Sequence, residues 1–417
     1  MDVMAVMDGS DSKRPCRKQK RKRKQVDDRI SKLSEDIILK MSDLWKDTSK
    51  LDFQNTDCTF KTEIEHTSWD AENCKYVKMV NSAIESHQSP CLQSFILQFY
   101  VNKSGKSAVA KWLEFAWSRR VECLMFNFQC RRPESMLVLE ELLAEMRPMN
   151  YLKRLCLTGM RVGGEAISLI LRNCPMLLDL NIRVRADLTS DVHVCGGAAL
   201  KLNRLRISYY CPESTKSVYI SAPNLTMVNL TATKRGKLFF ENVPKLVHAV
   251  FTVGYARYIG QNFVPCIISQ LQKLTLELYY SKKHLAKWFP PQMPNLKELV
   301  LVDNGVYEHG CLLLVKAFIS ALPRLQKFEF VFLDNATSHE RFRCPHQHLK
   351  VLKFQGSCAR HIIELVTRVS DNCDAFQEIN TCSPLMGKVE VEAHKNHLKQ
   401  LGLELSHHIQ FKFFKFT

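Results

Sequence analysis

The residues best suited to chemistry are few, and their spacing disfavours catalysis. Cys344, His346 and His348 could ligate a metal, but this spacing matches no standard zinc arrangement, and alternation along a strand explains it more simply. Gly105-Lys106-Ser107 resembles the end of a phosphate-binding loop, but Tyr100 stands where that loop needs a glycine. The 14 histidines form no local catalytic motif. We therefore expect no metal, no cofactor and no enzymatic activity.

A group of arginines offers a different chemistry, the binding of anions. With one neighbouring tyrosine, the group is Arg154, Arg183, Arg185, Arg204, Arg206 and Tyr209. A guanidinium group donates paired hydrogen bonds to a carboxylate or a phosphate, and Arg and Tyr are frequent at protein interfaces. If these side chains share one surface, we expect that surface to bind an acidic or phosphorylated polypeptide. The alternative is an ordinary solvated charged surface.

A repeat that runs from Leu92 to Phe354 indicates which elements carry these residues. An apolar residue, two variable ones, an apolar residue, one variable one and a third apolar residue recur eleven times, 21 to 31 residues apart. Leucine-rich repeats have this pattern and period. The triplets begin at Leu92, Val121, Leu152, Leu177, Leu202, Leu225, Leu246, Leu271, Leu296, Leu325 and Leu349.

The pattern predicts one strand in each repeat, because the second and third apolar residues are two apart and point to the same side of a strand. Five repeats have a proline two residues before the first apolar residue, where it ends a helix and leads into an extended segment. These prolines are Pro175, Pro223, Pro244, Pro294 and Pro323.

The predicted fold class is therefore α/β, a leucine-rich-repeat solenoid with a curved parallel sheet and an outer layer of helices or irregular segments. The periodicity predicts helices over Glu165–Asn173 and Leu312–Ala321. The shorter spacers between Leu202 and Leu276 are rich in Thr, Val and Tyr, which favours strand or coil there. A βαβ domain is the alternative.

The alternation also predicts which residues face a ligand. Residues between the buried positions should line the concave face of the sheet, which places the five arginines and Tyr209 there. Later repeats offer glutamates beside lysines, so the predicted face changes from basic to mixed charge. These later residues are Lys273, Glu277, Glu298, Lys327 and Glu329.

The formal net charge of +17 is concentrated near the beginning of the sequence. Nine of the twelve residues from Lys13 to Lys24 are Lys or Arg, and such a run repels itself and stays unfolded. A nuclear-import signal, a solvated tail and a nucleic-acid contact are its possible roles. We favour import, because no aromatic residues interleave the run. Its core is Lys20, Arg21, Lys22, Arg23 and Lys24.

The 16 cysteines are scattered without a Cys-x-x-Cys pair, which is typical of reduced thiols in the nucleus or cytoplasm. No apolar run reaches the roughly 18 to 20 residues of a membrane span, and Met1–Asp11 has no signal-peptide character. We therefore expect neither membrane insertion nor secretion.

The segment Asp28–Leu39 predicts a turn followed by a short helix with Ser34 as its N-cap. Its sequence, Asp-Arg-Ile-Ser-Lys-Leu-Ser-Glu-Asp-Ile-Ile-Leu, resembles the start of the F-box in plant F-box proteins with leucine-rich repeats. Further along, Leu44-Trp45 with Leu51-Asp52-Phe53, Tyr76–Phe99 and Ile220–Leu225 are similar to other parts of that family, and His346–Phe376 resembles the start of its C-terminal FBD region.

The resemblance implies a function. The F-box helix would dock on the Skp-type adaptor of a cullin ubiquitin ligase, and the repeats would present a substrate protein, so the chain would be a receptor and not the catalyst. The implied adaptor-binding residues are Ile30, Leu33, Ile37, Ile38 and Leu39.

In one respect the sequence departs from that family. Most of a helical stretch expected between Leu39 and Leu44 is absent, and Ser34 replaces the usual proline. The alternative is therefore a leucine-rich-repeat scaffold that has lost adaptor binding.

The predicted organisation has five parts. A disordered basic tail covers 1–27, a truncated F-box-like segment 28–53, a helical linker 54–90, the leucine-rich repeats 91–343, and an FBD-like C-terminal region 344–417.

Overall fold

One parallel β-sheet runs through the part of the chain that the structure describes. The computed structural model describes residues 45–54, 66–128, 135–144, 147–184, 190–209, 217–232, 237–252, 265–278, 292–303, 318–332, 346–356, 378–382 and 410–414. Fourteen described strands form the large sheet, and three others form a second, smaller sheet.

The described strands, in chain order, are β1 Lys50–Gln54, β2 Ser94–Phe99, β3 Cys123–Phe128, β4 Arg154–Thr158, β5 Asp179–Val184, β6 Val192–Cys195, β7 Arg204–Tyr209, β8 Val218–Ser221, β9 Met227–Ala232, β10 Leu238–Phe240, β11 His248–Thr252, β12 Lys273–Leu278, β13 Glu298–Asp303, β14 Lys327–Phe332, β15 Val351–Gly356, β16 Glu378–Cys382 and β17 Gln410–Phe414. The described helices are α1 His66–Ser86, α2 Lys106–Ser118, α3 Leu139–Leu143, α4 Gly164–Asn173 and α5 Pro265–Ile268.

The register of the large sheet confirms the predicted repeat. The second apolar residue of each triplet is opposite the second apolar residue of the next, as in the run Phe95, Leu124, Leu155, Leu180 and Leu205. Wherever their side chains are described, the second and third apolar residues are at most 4% exposed. Because equivalent positions align across parallel strands, one side of the sheet becomes a continuous apolar layer. The fold is a leucine-rich-repeat solenoid, as predicted.

A tight turn leads into these strands. The N–H of the first apolar residue, Leu225 or Leu325, donates to the carbonyl oxygen three residues earlier, that of Ala222 (3.0 Å) or Leu322 (3.1 Å). A proline follows each acceptor residue, and its fixed φ suits the second position of a β-turn. In the repeats that have it, the proline therefore helps to form the turn that starts the strand, in addition to ending the preceding segment.

The outer layer changes from helices to a second sheet along the chain. The helix predicted at Glu165–Asn173 is confirmed as α4. Of the strand or coil predicted for the outer layer between Leu202 and Leu276, β8 and β10 are strands that pair in parallel, and β6 joins them one repeat earlier. On this second sheet the rings of His193, Tyr219 and Phe239 stack with centroids 4.6 Å apart.

Most of the predicted helix Leu312–Ala321 lies outside the described residues. Its described part, 318–321, is helical.

The large sheet is longer than the predicted repeat segment, 91–343. Strand β1 overlaps the end of the segment 28–53 predicted as F-box-like, and it pairs with β2 in the same register as the repeats, with Leu51 opposite Phe95 and Phe53 opposite Leu97. Strands β16 and β17 continue the sheet beyond β15.

Helix α1, in the segment predicted as a linker, is part of the core. The ring of Tyr76 stacks on Phe99 with centroids 5.4 Å apart.

Two glycines with positive φ allow a direct test of the close packing between strands. At Gly159, φ is +79°, and a Cβ atom would lie 1.5 Å from the carbonyl oxygen of Phe128, whereas at Gly197, φ is +58° and a Cβ atom would meet nothing within 4 Å. We expect Gly197→Ala to cost about 1 kcal/mol for the left-handed backbone alone, and Gly159→Ala to cost about 3 kcal/mol or more because overpacking is added.

Urea unfolding followed by circular dichroism measures both costs. Equal losses of stability in the two variants would contradict the close approach of Gly159 to β3.

A candidate binding surface on the open face of the sheet

The face of the large sheet opposite the apolar layer, here called the open face, carries the candidate site. It has three rows of side chains: residues just before the second apolar position of each repeat (first row), residues between the second and third (second row), and residues just after the third (third row). Because the strands are in register, Arg154, Asp179 and Arg204 are neighbours in the first row. Asn181 and Arg206 are neighbours in the second row.

The structure brings the described arginines together on three adjacent strands. Arg154 on β4, Arg183 on β5 and Arg204 on β7 are exposed, and Arg206, also on β7, is half-buried. All four lie on the open face, as the alternation predicted. Arg185 lies outside the described residues.

The prediction for Tyr209 is wrong. Its side chain is fully buried, because it follows Ile207 by two residues and therefore points to the same side of β7 as Leu205 and Ile207. Tyr209 belongs to the apolar layer and not to the open face.

Asp179 is the important residue that the sequence reasoning missed. Its carboxylate accepts a hydrogen bond from Arg206 Nη1 (3.1 Å) and lies 3.2 Å from Arg204 Nε in an ion pair, and its side chain is only 11% exposed. Four arginines around one aspartate leave this group a formal charge of +3. The alternation that placed Arg204 on the open face also places Asp179 there, so the residue could have been found.

The four arginines differ in whether they form an ion pair within the protein. Arg204 and Arg206 are fixed by Asp179, whereas Arg154 and Arg183 form no ion pair with another described residue. Burial raises the pKa of the nearby Cys156 thiol, which disfavours its thiolate form. The arrangement is suited to binding an anion.

The second half of the open face carries paired charges. Lys273 Nζ lies 3.1 Å from Glu298 Oε2, and Lys353 Nζ lies 3.3 Å from Glu329 Oε2. Both pairs join neighbouring strands. Each pair is neutral, so an anionic ligand is attracted more strongly to the β4–β7 group.

The rejected metal candidate has a structural role where it is described. If His346 Nε2 carries the proton, it donates to the carbonyl oxygen of Leu322 (2.8 Å), while Nδ1 accepts from the backbone N–H groups of His348 and Leu349. Both ring nitrogens are thus occupied within the turn before β15. Cys344 lies outside the described residues, among which no group of three or more potential ligands is placed to hold a metal.

Residues 20–24, predicted to form an import signal, and 30–39, predicted to contact the adaptor, lie outside the described residues. Within the described segments, no helix has both the length and the apolar character of a membrane span.

The parallel sheet, its repeat register and its open face define a leucine-rich-repeat protein, a class whose repeats serve protein interaction. A family model described as "At1g61320/AtMIF1, LRR domain" matches residues 138–369, more than half of the chain. The chain therefore belongs to the At1g61320/AtMIF1 leucine-rich-repeat family. None of the curated proteins compared with the chain matches it.

His248 gives the open face a measurable pH dependence. It lies in the first row opposite Lys273, and burial, then the charge of Lys273, lowers its pKa below 6.5, with Glu298 acting in the opposite direction. The folded state therefore binds this proton less readily than the unfolded state. Above pH 6.5 His248 is neutral in both states and does not reduce the free energy of unfolding. As the pH drops from 6.5 through the lowered pKa, the free energy of unfolding falls, because the unfolded state takes up the proton more readily.

We expect His248→Gln to reduce the loss of thermal stability below pH 6.5. Thermal midpoints measured from pH 8 to pH 5 test this. Parallel curves for the variant and the original protein would contradict it.

Proposed function

We propose that the chain is a non-catalytic binding subunit whose open face captures an acidic or phosphorylated segment of another protein, which it presents as the substrate-recognition subunit of a Skp-cullin-F-box ubiquitin ligase. The observation that carries the binding role is the convergence of four arginines from β4, β5 and β7 around one aspartate. Such a group retains a positive charge after its internal pairing.

Asp179 favours binding over a merely solvated surface. It holds Arg204 and Arg206 in place, so these long side chains lose less rotamer freedom when a ligand binds. The Nε atom of Arg204 is the one that lies in the ion pair with Asp179, which leaves its two terminal nitrogens for a carboxylate or phosphate. Arg154 and Arg183 extend the same positive region on either side.

Arg154 and Arg183 provide the cleanest test of this site, because neither forms an ion pair with Asp179, so replacing them leaves the contacts of Asp179 with Arg204 and Arg206 in place. We expect Arg154→Glu combined with Arg183→Glu to reduce partner recovery at least tenfold, since each charge-assisted hydrogen bond contributes about 1.5–3 kcal/mol. Quantitative co-purification with the tagged full chain measures the effect.

The matched control is Lys237→Glu, the same charge reversal at an exposed residue just before β10 of the second sheet. Unchanged recovery with the double variant, or an equal loss with Lys237→Glu, would contradict binding at the arginines.

The ligase role is supported by the resemblance of Asp28–Leu39 to an F-box. We propose that this segment contacts a Skp-type adaptor through Ile30, Leu33, Ile37, Ile38 and Leu39. Strand β1 begins soon afterwards at Lys50, so an adaptor held there would adjoin the first strand of the solenoid. The basic residues 20–24 are proposed as a nuclear-import signal. The proposed location is therefore the nucleus, the cytoplasm or both.

The alternative is an interaction scaffold without a ligase. It is favoured by the absent stretch between Leu39 and Leu44, because a helix of about two turns buries little apolar area against an adaptor. In this case the open face binds the same partner but no ubiquitin transfer follows.

Co-expression with a Skp-type adaptor separates the two functions. We expect a stoichiometric complex that survives Lys32→Asp, a change at a polar position, but is lost in Ile37→Asp, which introduces a charge into the apolar set. Size-exclusion chromatography with light scattering measures the complex. No complex with the original sequence would favour the scaffold.

A further inference from the structure

An apolar strip borders the arginine group on the open face. It consists of Ile96 on β2, Met125 on β3 and Cys156 on β4, which are opposite one another in the second row. All three side chains are half-buried and so keep part of their surface exposed. The strip therefore offers contact area to an apolar ligand group.

The strip leads directly into the arginine group. The next two residues of the second row are Asn181 and Arg206. The Oδ1 atom of Asn181 is buried and accepts no hydrogen bond from any described residue, although buried acceptors are normally satisfied. From β2 to β7 the second row thus presents an apolar surface, then Asn181 with its carbonyl oxygen buried, and then a cation, in that order.

We propose that the open face over β2–β7 binds a short protein segment in which two or three apolar side chains directly adjoin two or more carboxylates. The apolar side chains of the segment lie on Ile96, Met125 and Cys156, and its carboxylates meet the arginines. This inference rests on the proposed function and specifies its ligand.

The geometry sets the length of the segment. Neighbouring strands are about 4.8 Å apart. The five adjacent strands β2, β3, β4, β5 and β7 therefore span about 19 Å. An extended chain covers this distance in about six residues. The bound segment crosses the strands at a steep angle, because the change from apolar to charged side chains occurs along the second row, from strand to strand, and not along any single strand.

Charge complementarity selects carboxylates as the anions. The arginines are distributed over three strands and two sides of the second row, which suits several separate single charges. Asp179 lies among them with its side chain largely buried, and it would repel one compact phosphate dianion more than dispersed carboxylates. The paired lysines and glutamates of β12–β15 offer no comparable excess charge.

Selection from a random twelve-residue peptide display library on the purified full chain tests the proposal. We expect enriched peptides to contain adjoining apolar and acidic residues. Synthetic versions should bind about tenfold more weakly to Met125→Gln, which keeps the length and neutrality of the side chain but removes its apolar character. Ile96→Gln should have the same effect, and Lys237→Glu none. Thermal midpoints verify that each variant folds.

The possible results separate this inference from the function on which it rests. Acidic peptides without apolar residues, bound equally by Met125→Gln and Ile96→Gln, would overturn the apolar contact and leave acidic recognition standing. No enriched peptide, or binding insensitive to Arg154→Glu with Arg183→Glu, would overturn both. A further peptide tests the choice of anion: phosphoserine replaces one glutamate, and glutamine replaces the other acidic residues. If this peptide binds more tightly than the original, the choice of carboxylates is overturned.

Discussion

The alignment of equivalent residues in neighbouring parallel strands is the constraint on which the molecule depends. When the second apolar residue of one repeat lies opposite that of the next, the second and third apolar side chains of the repeats reach the same layer. A shift of one residue would turn Leu155 and Leu157 outward and Arg154 and Cys156 inward. The register that builds the core therefore also builds the three rows of the open face.

Parallel alignment creates an electrostatic difficulty that Asp179 resolves. Residues of one row lie on adjacent strands, where like charges destabilise a sheet. Asp179 separates Arg154 from Arg204 in the first row and accepts from Arg206 in the second. The arginine group is thus compatible with a folded sheet because a carboxylate stands at its centre. Its remaining charge stays available to a ligand, since two arginines are not bound to that carboxylate.

Much of the fold followed from the sequence, and the misses have physical reasons. The eleven triplets predicted their strands because all three positions are apolar, whereas β1, β16 and β17 have a polar residue at one position, namely Thr48, Thr381 and His408. Tyr209 was misplaced although the same alternation assigns it to the core. The arginines were found by residue type. The alternation also assigns Asp179 to the open face, but its contacts with Arg204 and Arg206, like the orphaned oxygen of Asn181, became evident only from the three-dimensional structure, because local patterns do not report contacts across strands.

The three-row arrangement has a consequence for how such proteins diversify. Each repeat contributes its apolar residues to the interior and a separate set of side chains to the exterior, so a substitution in a row leaves the packing below it nearly untouched. Recognition can then change by single steps, one strand at a time, while the scaffold is inherited intact. Relatives with the same interior pattern and different arginine, amide or aliphatic residues in these rows would form a repertoire of receptors with different ligands.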